Sequence, residues 1–269
     1  MSRSSEFLET AEWEFGELFL RDGYVITAVE DIENLEKIRA AVTKEASRYL
    51  EVHPGEAEAF LNQVHEHVSP GKLNDLRLQV IKKVNAESSF RPWYYSLVRQ
   101  SLAALVGNEL AMQLRLNLSI QLPDDDSSLL PVHADVWSGD SPFEVVVWLP
   151  LVNCFESKSM FLLPPGPTQT LHECFAEYHD KSSEDLYQGI KDDLKWIEIK
   201  YGEVLLFNQN LPHGNRVNNE SETRWSMNCR FKSVFSPYGD KKLGEFFEPV
   251  TLRPASRLGM RYRHPSIRG

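Results

Sequence analysis

Cysteine is scarce in this chain: three residues in 269, at Cys154, Cys174 and Cys229. Three scattered thiols build neither a disulfide framework nor a zinc ribbon, so a reducing, cytoplasmic setting is the expectation. Long apolar runs are missing as well. No stretch approaches the roughly 18 apolar residues that a membrane-spanning helix needs, and no membrane partner is expected. The opening segment, Met1-Ser-Arg-Ser-Ser-Glu-Phe-Leu-Glu9, is acidic where an export signal is basic and then apolar. Positive charge is in deficit: 29 Lys and Arg against 39 Asp and Glu give a formal net charge of −10. That balance advertises no basic face for DNA, RNA or anionic lipid, yet it permits a local basic pocket around an acidic small molecule. Repeats and low-complexity tracts are absent too. What remains is an ordinary globular composition, 42% hydrophobic and 25% charged, in a length that suits one domain with elaborations.

Residues 1–110 read as helical support. Between Glu30 and Leu50 the apolar residues Ile32, Leu35, Ile38, Val42, Ala46 and Leu50 recur at helical spacing behind an acidic first turn. Further helices are predicted at 56–68, at 70–85 with Ser69-Pro70 as cap and first residue, and at 89–106. After Gly107 the pattern changes to short β-rich runs: Met112–Leu122, Val132–Trp137, Phe143–Val152, Ser159–Leu163, Trp196–Lys200, Glu203–Phe207 and Arg224–Phe235. Turn signals such as Ser138-Gly-Asp-Ser-Pro142 and Pro164-Pro-Gly-Pro167 separate them. Short strands behind a helical lead-in predict one mainly β domain with flanking helices over 1–269, its β-sandwich or jelly-roll core spanning 111–236. Residues 168–195 interrupt the strands with a polar, acidic insertion, expected to form a helix near 182–192 and to act as a lid. Residues 237–269 form a C-terminal extension.

Two of these strands have an unusual polar face. Alternation puts Arg115, Asn117, Ser119 and Gln121 on one side of the first, and Arg224, Ser226, Asn228 and Arg230 on one side of the last. Either strand alone reads equally well as a solvated edge. Beside them lies His133-Ala134-Asp135, whose two polar side chains point the same way if the segment is a strand and can reach one metal ion. A second imidazole, His213, follows about 78 residues later, and Arg224 stands eleven residues beyond it. Two histidines and one carboxylate on one facet suit iron(II) and leave three positions open. A 2-oxo acid fills two of them and dioxygen the third. Arg224 and Ser226 offer a guanidinium fork and a hydroxyl for the far carboxylate of a dicarboxylic acid.

This ordered set resembles the 2-oxoglutarate/iron(II) oxygenases, in particular the phytanoyl-CoA dioxygenase-like branch. The similarity extends over most of the chain: Asp22-Gly-Tyr-Val-Ile-Thr near the start, Trp148-Leu-Pro-Leu and Ser159-Met-Phe-Leu-Leu-Pro-Pro-Gly in the middle, and Gly202-Glu-Val-Leu-Leu-Phe with His213-Gly further on. The resemblance implies a double-stranded β-helix, and oxidative decarboxylation of 2-oxoglutarate to succinate and CO₂ coupled to oxidation of a substrate C–H bond. Position by position, it implies His133, Asp135 and His213 as metal ligands and Arg224 as co-substrate anchor, helped by Ser226. Gln121, Asn117 and Trp148 are further candidates for the co-substrate pocket. The loop after the middle motif departs from the family's frequent Pro-Gly-Ser-His ending and reads Pro164-Pro-Gly-Pro-Thr168. The segment from Phe235 to Met260 also resembles oxygenases of bacterial carbohydrate and aminoglycoside gene clusters. Together with the polar strand faces, this points to a polar small-molecule substrate such as a sugar or sugar nucleotide.

Other residues carry less. His65 and His67 fall in a predicted helix, where positions two apart diverge and cannot share a metal. His172 and His179 lie in the acidic insertion and read as solvated. Arg230 shares a face with Arg224 and is a second candidate for an acidic group. Two rival functions use the same residues: a zinc hydrolase, and a cupin-like sugar-binding module without turnover. The first lacks a His-Glu-x-x-His glutamate, and decarboxylation of 2-oxoglutarate with iron(II) separates both from an oxygenase.

Overall fold

In the computed structural model, which describes residues 7–265, helices and antiparallel strands pack as layers. The helices are α1 (Thr10–Asp22), α2 (Ile32–Leu50), α3 (Ala57–Asn62), α4 (Pro70–Ala86), α5 (Phe90–Ser96), α6 (Arg99–Leu105), α7 (Pro165–Glu173), α8 (Ser183–Ile190) and α9 (Pro254–Gly259). The strands are β1 (Tyr24–Ala28), β2 (Leu110–Gln113), β3 (Asn117–Gln121), β4 (Glu144–Pro150), β5 (Phe161–Leu162), β6 (Lys195–Trp196), β7 (Glu203–Asn208), β8 (His213–Gly214), β9 (Arg224–Ser233) and β10 (Phe247–Pro249). No described helix is long and apolar enough to cross a membrane.

The larger sheet runs β1-β7-β4-β9-β2-β10, with β3 also paired to β9; the smaller runs β6-β5-β8. Alternation along β9 decides what each face touches. Trp225, Met227, Cys229 and Phe231 join the main core with α2, α4 and α5, and the Trp225 indole N–H donates to the Leu61 carbonyl at 2.9 Å. The Arg224, Ser226, Asn228 and Arg230 face looks the other way. Val145, Val147 and Leu149 of β4 and Val204 and Leu206 of β7 continue the helix-facing side. Val146, Trp148, Leu205 and Phe207 form a second core with Met160, Leu162 and Ile197 of the smaller layer.

Helix α2 shows the local logic. Asp31 caps it by accepting from the Asn34 N–H at 3.0 Å, and Leu35, Ile38, Val42 and Ala46 are fully buried on one stripe. Burying each Leu, Ile or Val contributes about 1.5–3 kcal/mol, so this stripe anchors the helix in the main core beside α3, α4 and α5.

Several elements differ from the sequence reading. The run Met112–Leu122 is two strands, broken at 114–116, where Asn85 bonds both backbone groups of Leu116. Arg115 therefore lies in the break and is exposed rather than on the inner face. The stretch 89–106 is two helices, and 56–68 is α3 followed by a 3₁₀ turn. Residues 7–110 also contain β1, which pairs with β7. The interruption in the strands begins at Pro165, and Ser182 opens α8 with a reciprocal capping box to Asp185. The C-terminal extension is not peripheral: β10 adds to β2 at the sheet edge.

Candidate metal and co-substrate site

The segment 132–137 is no regular strand. His133 forms a single antiparallel bridge with His213, exchanging both backbone hydrogen bonds at 3.0 and 2.8 Å, and Asp135 opens a 3₁₀ turn. A directly opposed pair places its two side chains on one face. The two imidazole centroids accordingly lie 4.3 Å apart. Asp135 is brought beside them by the turn, with its backbone N–H on the Gln209 carbonyl at 3.2 Å. The expected cluster forms, though by cross-strand pairing and not by two residues of one strand.

One ligand atom from each of His133, Asp135 and His213 lies within 4.8 Å of the others. Ligands on one facet of an ion, each at about 2.1 Å, stand about 3 Å apart, so side-chain rotation of roughly an ångström closes the set. Both rings are oriented for it. Nδ1 of His133 lies 2.9 Å from the Pro131 carbonyl and Nδ1 of His213 lies 2.9 Å from the Leu211 carbonyl. A proton on each Nδ1 satisfies that bond and leaves Nε2 as the ligating lone pair. Burial, followed by the charge of His133, pushes the His213 pKa down to about 4, which keeps it neutral. Gly214 has no room for a side chain: a Cβ there would meet the Leu130 carbonyl oxygen at 2.7 Å and Phe161 at 3.1 Å.

The three residues line a cavity of about 250 Å³ between the two sheets. Asn117, Ser119, Asn228, Arg224 and Arg230 form its polar wall, and Val146, Trp148, Met160 and Phe207 its apolar wall. Arg224 is 3% exposed; its guanidinium donates to the Ser159 carbonyl at 2.9 Å and the Ser119 hydroxyl at 3.0 Å, and its Nε has no partner. Burial pushes its pKa down to about 10, so it remains a cation at neutral pH. The hydroxyl beside it is thus Ser119; Ser226, buried and without a hydrogen-bond partner, does not line the cavity. Gln121 is likewise outside the lining and donates to the Arg216 carbonyl. Asn117 donates to Asn228 at 2.8 Å across the β3–β9 pair.

Arg230 is committed elsewhere, to Asp135 at 2.7 Å and to Asp140 at 2.6 Å. Asp140 and its second partner, Lys241, escaped the sequence reading because Asp140 sits in a segment that reads only as a turn. His172 and His179 are exposed, and no residue of 168–195 lines the cavity. His65 pairs with Thr223 at 3.0 Å and His67 stacks on Phe60.

No protein-family model matches the chain, and no curated protein is a match. Solved structures do match. ThoJ, a non-haem monooxygenase in a nickel complex, aligns with a TM-score of 0.57 at 15% identity, over 90% of this chain and 85% of its own. HygX from Streptomyces hygroscopicus, with nickel and 2-oxoglutarate bound, aligns at 0.52 and 16% identity, over 88% and 90%. EctD from S. alaskensis, with 2-oxoglutarate and 5-hydroxyectoine, aligns at 0.53 and 14%, over 86% and 78%. In fold, the chain is similar to non-haem, 2-oxoglutarate-dependent oxygenases.

Proposed function

We propose that this protein is an iron(II)- and 2-oxoglutarate-dependent oxygenase acting on a polar small molecule, with a double-stranded β-helix as its core. The observation that carries the reading is the convergence of His133, Asp135 and His213 on one cavity whose opposite polar wall holds the buried Arg224. Resemblance to the phytanoyl-CoA dioxygenase-like branch rests on the sequence motifs alone.

In this reading the two Nε2 atoms and the Asp135 carboxylate hold iron(II). The ion supplies the positions at which 2-oxoglutarate and dioxygen are activated. Arg224, preset by Ser119 and the Ser159 carbonyl, receives the far carboxylate through its fork. Trp148, Val146 and Phe207 exclude water on the other side. Overall, 2-oxoglutarate, O₂ and a substrate R–H become succinate, CO₂ and R–OH, which balances atoms and electrons.

The cavity is smaller than the roughly 300–1,000 Å³ of ordinary ligand pockets, so it suits the co-substrate and the reacting end of a substrate. The Asn117–Asn228 pair supports a hydroxyl-rich ligand, such as a sugar, sugar nucleotide or aminoglycoside-type intermediate, because the single bond between the two amides leaves further donors and acceptors at the cavity that hydroxyls can use and an apolar ligand cannot. EctD, which is similar in fold, carries a hydroxylated polar molecule in its structure. The insertion over 168–195 is proposed as the lid that covers the substrate's outer part. Succinate release, measured with iron(II) against panels of glycosides, sugar nucleotides and long-chain acyl thioesters, tests the reading. Stimulation by the first two supports it; stimulation by acyl thioesters alone contradicts the substrate class, and no decarboxylation under any condition contradicts the enzyme class.

A further inference from the structure

The chain is acidic as a whole, yet one surface segment reverses the balance. Residues 253–264 hold Arg253, Arg257, Arg261 and Arg263 and not one carboxylate. Helix α9 opens this segment, and its turns continue past Gly259: the Arg261 N–H donates to the Leu258 carbonyl at 3.1 Å and the Tyr262 N–H to the Gly259 carbonyl at 3.0 Å. Residues four apart on such turns share a face, so Arg257 and Arg261 form one stripe and Leu258 and Tyr262 the stripe beside it. All four project into solvent, Leu258 at 72% exposure and Tyr262 at 65%. None of these arginines forms an ion pair among the described residues. Helix α1 has the opposite character. Phe15 and Phe19 hold it against the main core, while Glu14, Glu17 and Leu18 face outward and Leu20 is 73% exposed. No residue of α1 is fully buried, and its one base, Arg21, is already paired with Asp22.

We propose that residues 253–264 form an arm that docks on α1 of a second copy of this chain, Arg257 and Arg261 meeting Glu14 and Glu17 while Leu258 and Tyr262 cover Leu18 and Leu20. Within one molecule the two surfaces stay apart. Helix α1 packs on α6 and on β1, the first strand in the order of the larger sheet, whereas the arm follows β10, the last. No hydrogen bond or ion pair among the described residues joins them. Exposed apolar side chains grouped among charges of one sign mark an interaction surface, and here each group finds its complement on the same chain. Reciprocal docking in a two-fold pair satisfies both arms and both helices and leaves no open end. An anionic bilayer would suit the arm and repel the rest of the molecule, where 25 Lys and Arg remain against 39 Asp and Glu once the four arginines are set aside from 29. Exposed ion pairs are individually weak and screened by salt, so the association is weak and salt-sensitive.

Sedimentation velocity of the full-length protein over a concentration series tests this. Wild type dimerises, and raising salt from about 0.05 M to about 0.5 M weakens the dimer roughly tenfold or more. Arg257→Glu with Arg261→Glu gives a monomer, as does Glu14→Arg with Glu17→Arg. All four substitutions together exchange the charges and restore the dimer. Leu258→Ser with Tyr262→Ser weakens the same contact without touching charge, so one unstable variant does not decide the matter, and thermal melting shows that each variant remains folded. A wild type that is monomeric at both salt concentrations overturns the proposal. So does a dimer that survives either charge reversal, or a fourfold variant that stays monomeric. A monomer that co-sediments with phosphatidylserine vesicles through its arginines assigns the arm to lipid and overturns the second copy as its partner.

Discussion

Nδ1 of His133 and of His213 each rests on the carbonyl two residues earlier, and that small regularity fixes which nitrogen faces the cavity. Asp135 supplies the only anion in the triad, so Asp135→Ala should weaken iron(II) binding by roughly a hundredfold or more, measured by metal titration of the apoprotein. Retention of wild-type affinity would remove Asp135 from the site. Arg224→Lys keeps a positive charge and loses the fork. It should raise the 2-oxoglutarate KM about tenfold or more with a smaller change in kcat; an unchanged KM would move the anchor elsewhere. These four residues were legible because their types, order and spacing are constrained together. The partner of Arg224 was not. Ser226 is two positions away on the same strand face, but Ser119 lies across the β3–β9 pair, and cross-strand register is invisible in a single chain read end to end.

Helices and strands were legible to different degrees, for one physical reason. The stripe Leu35, Ile38, Val42 and Ala46 writes α2 directly, since a helix buries its own periodic face. A strand of two residues such as β8 writes almost nothing, because its pairing is set by residues far along the chain. The His133–His213 bridge is of that kind, and its tight packing yields a prediction. Gly214→Ala would push against the Leu130 carbonyl oxygen, the backbone that leads into His133. It should destabilise the fold by about 1–3 kcal/mol and weaken iron(II) binding more than a substitution at the exposed Gly166 does. Thermal melting with a metal titration checks both; an unaltered metal affinity would uncouple the bridge from the site. The insertion divides the same way: α8 is written by its Ser182 cap, whereas α7 opens at Pro165 in a stretch that reads as a turn, and the place of both relative to the cavity is not written.

At the scale of the whole molecule, the wall beneath the site stores charge that the fold must tolerate. Glu144, 2% exposed with neither carboxylate oxygen hydrogen-bonded, opens β4 opposite Lys232. Burial raises its pKa, opposed by the nearby Arg230 charge, so the native state keeps its proton to higher pH than an unfolded carboxyl titrating near 4.5. The resulting contribution to stability is complete below that pH and is lost as pH rises through the native value. Glu144→Gln should therefore raise the melting temperature more at pH 8 than at pH 4, and an equal shift at both would show that the group does not titrate in this way.

Ligand linkage reaches the central claim, because a molecule that binds only the native state stabilises it in proportion to its affinity. Calorimetric titration of 2-oxoglutarate into the apoprotein, with and without manganese(II) as a redox-stable stand-in for iron(II), reads the site directly. Wild type should bind one 2-oxoglutarate tightly only with metal present, Arg224→Lys more weakly, and Asp135→Ala not detectably. Binding that ignores the metal, or that survives loss of Asp135 unchanged, would contradict a site in which His133, Asp135 and His213 hold the ion that 2-oxoglutarate chelates.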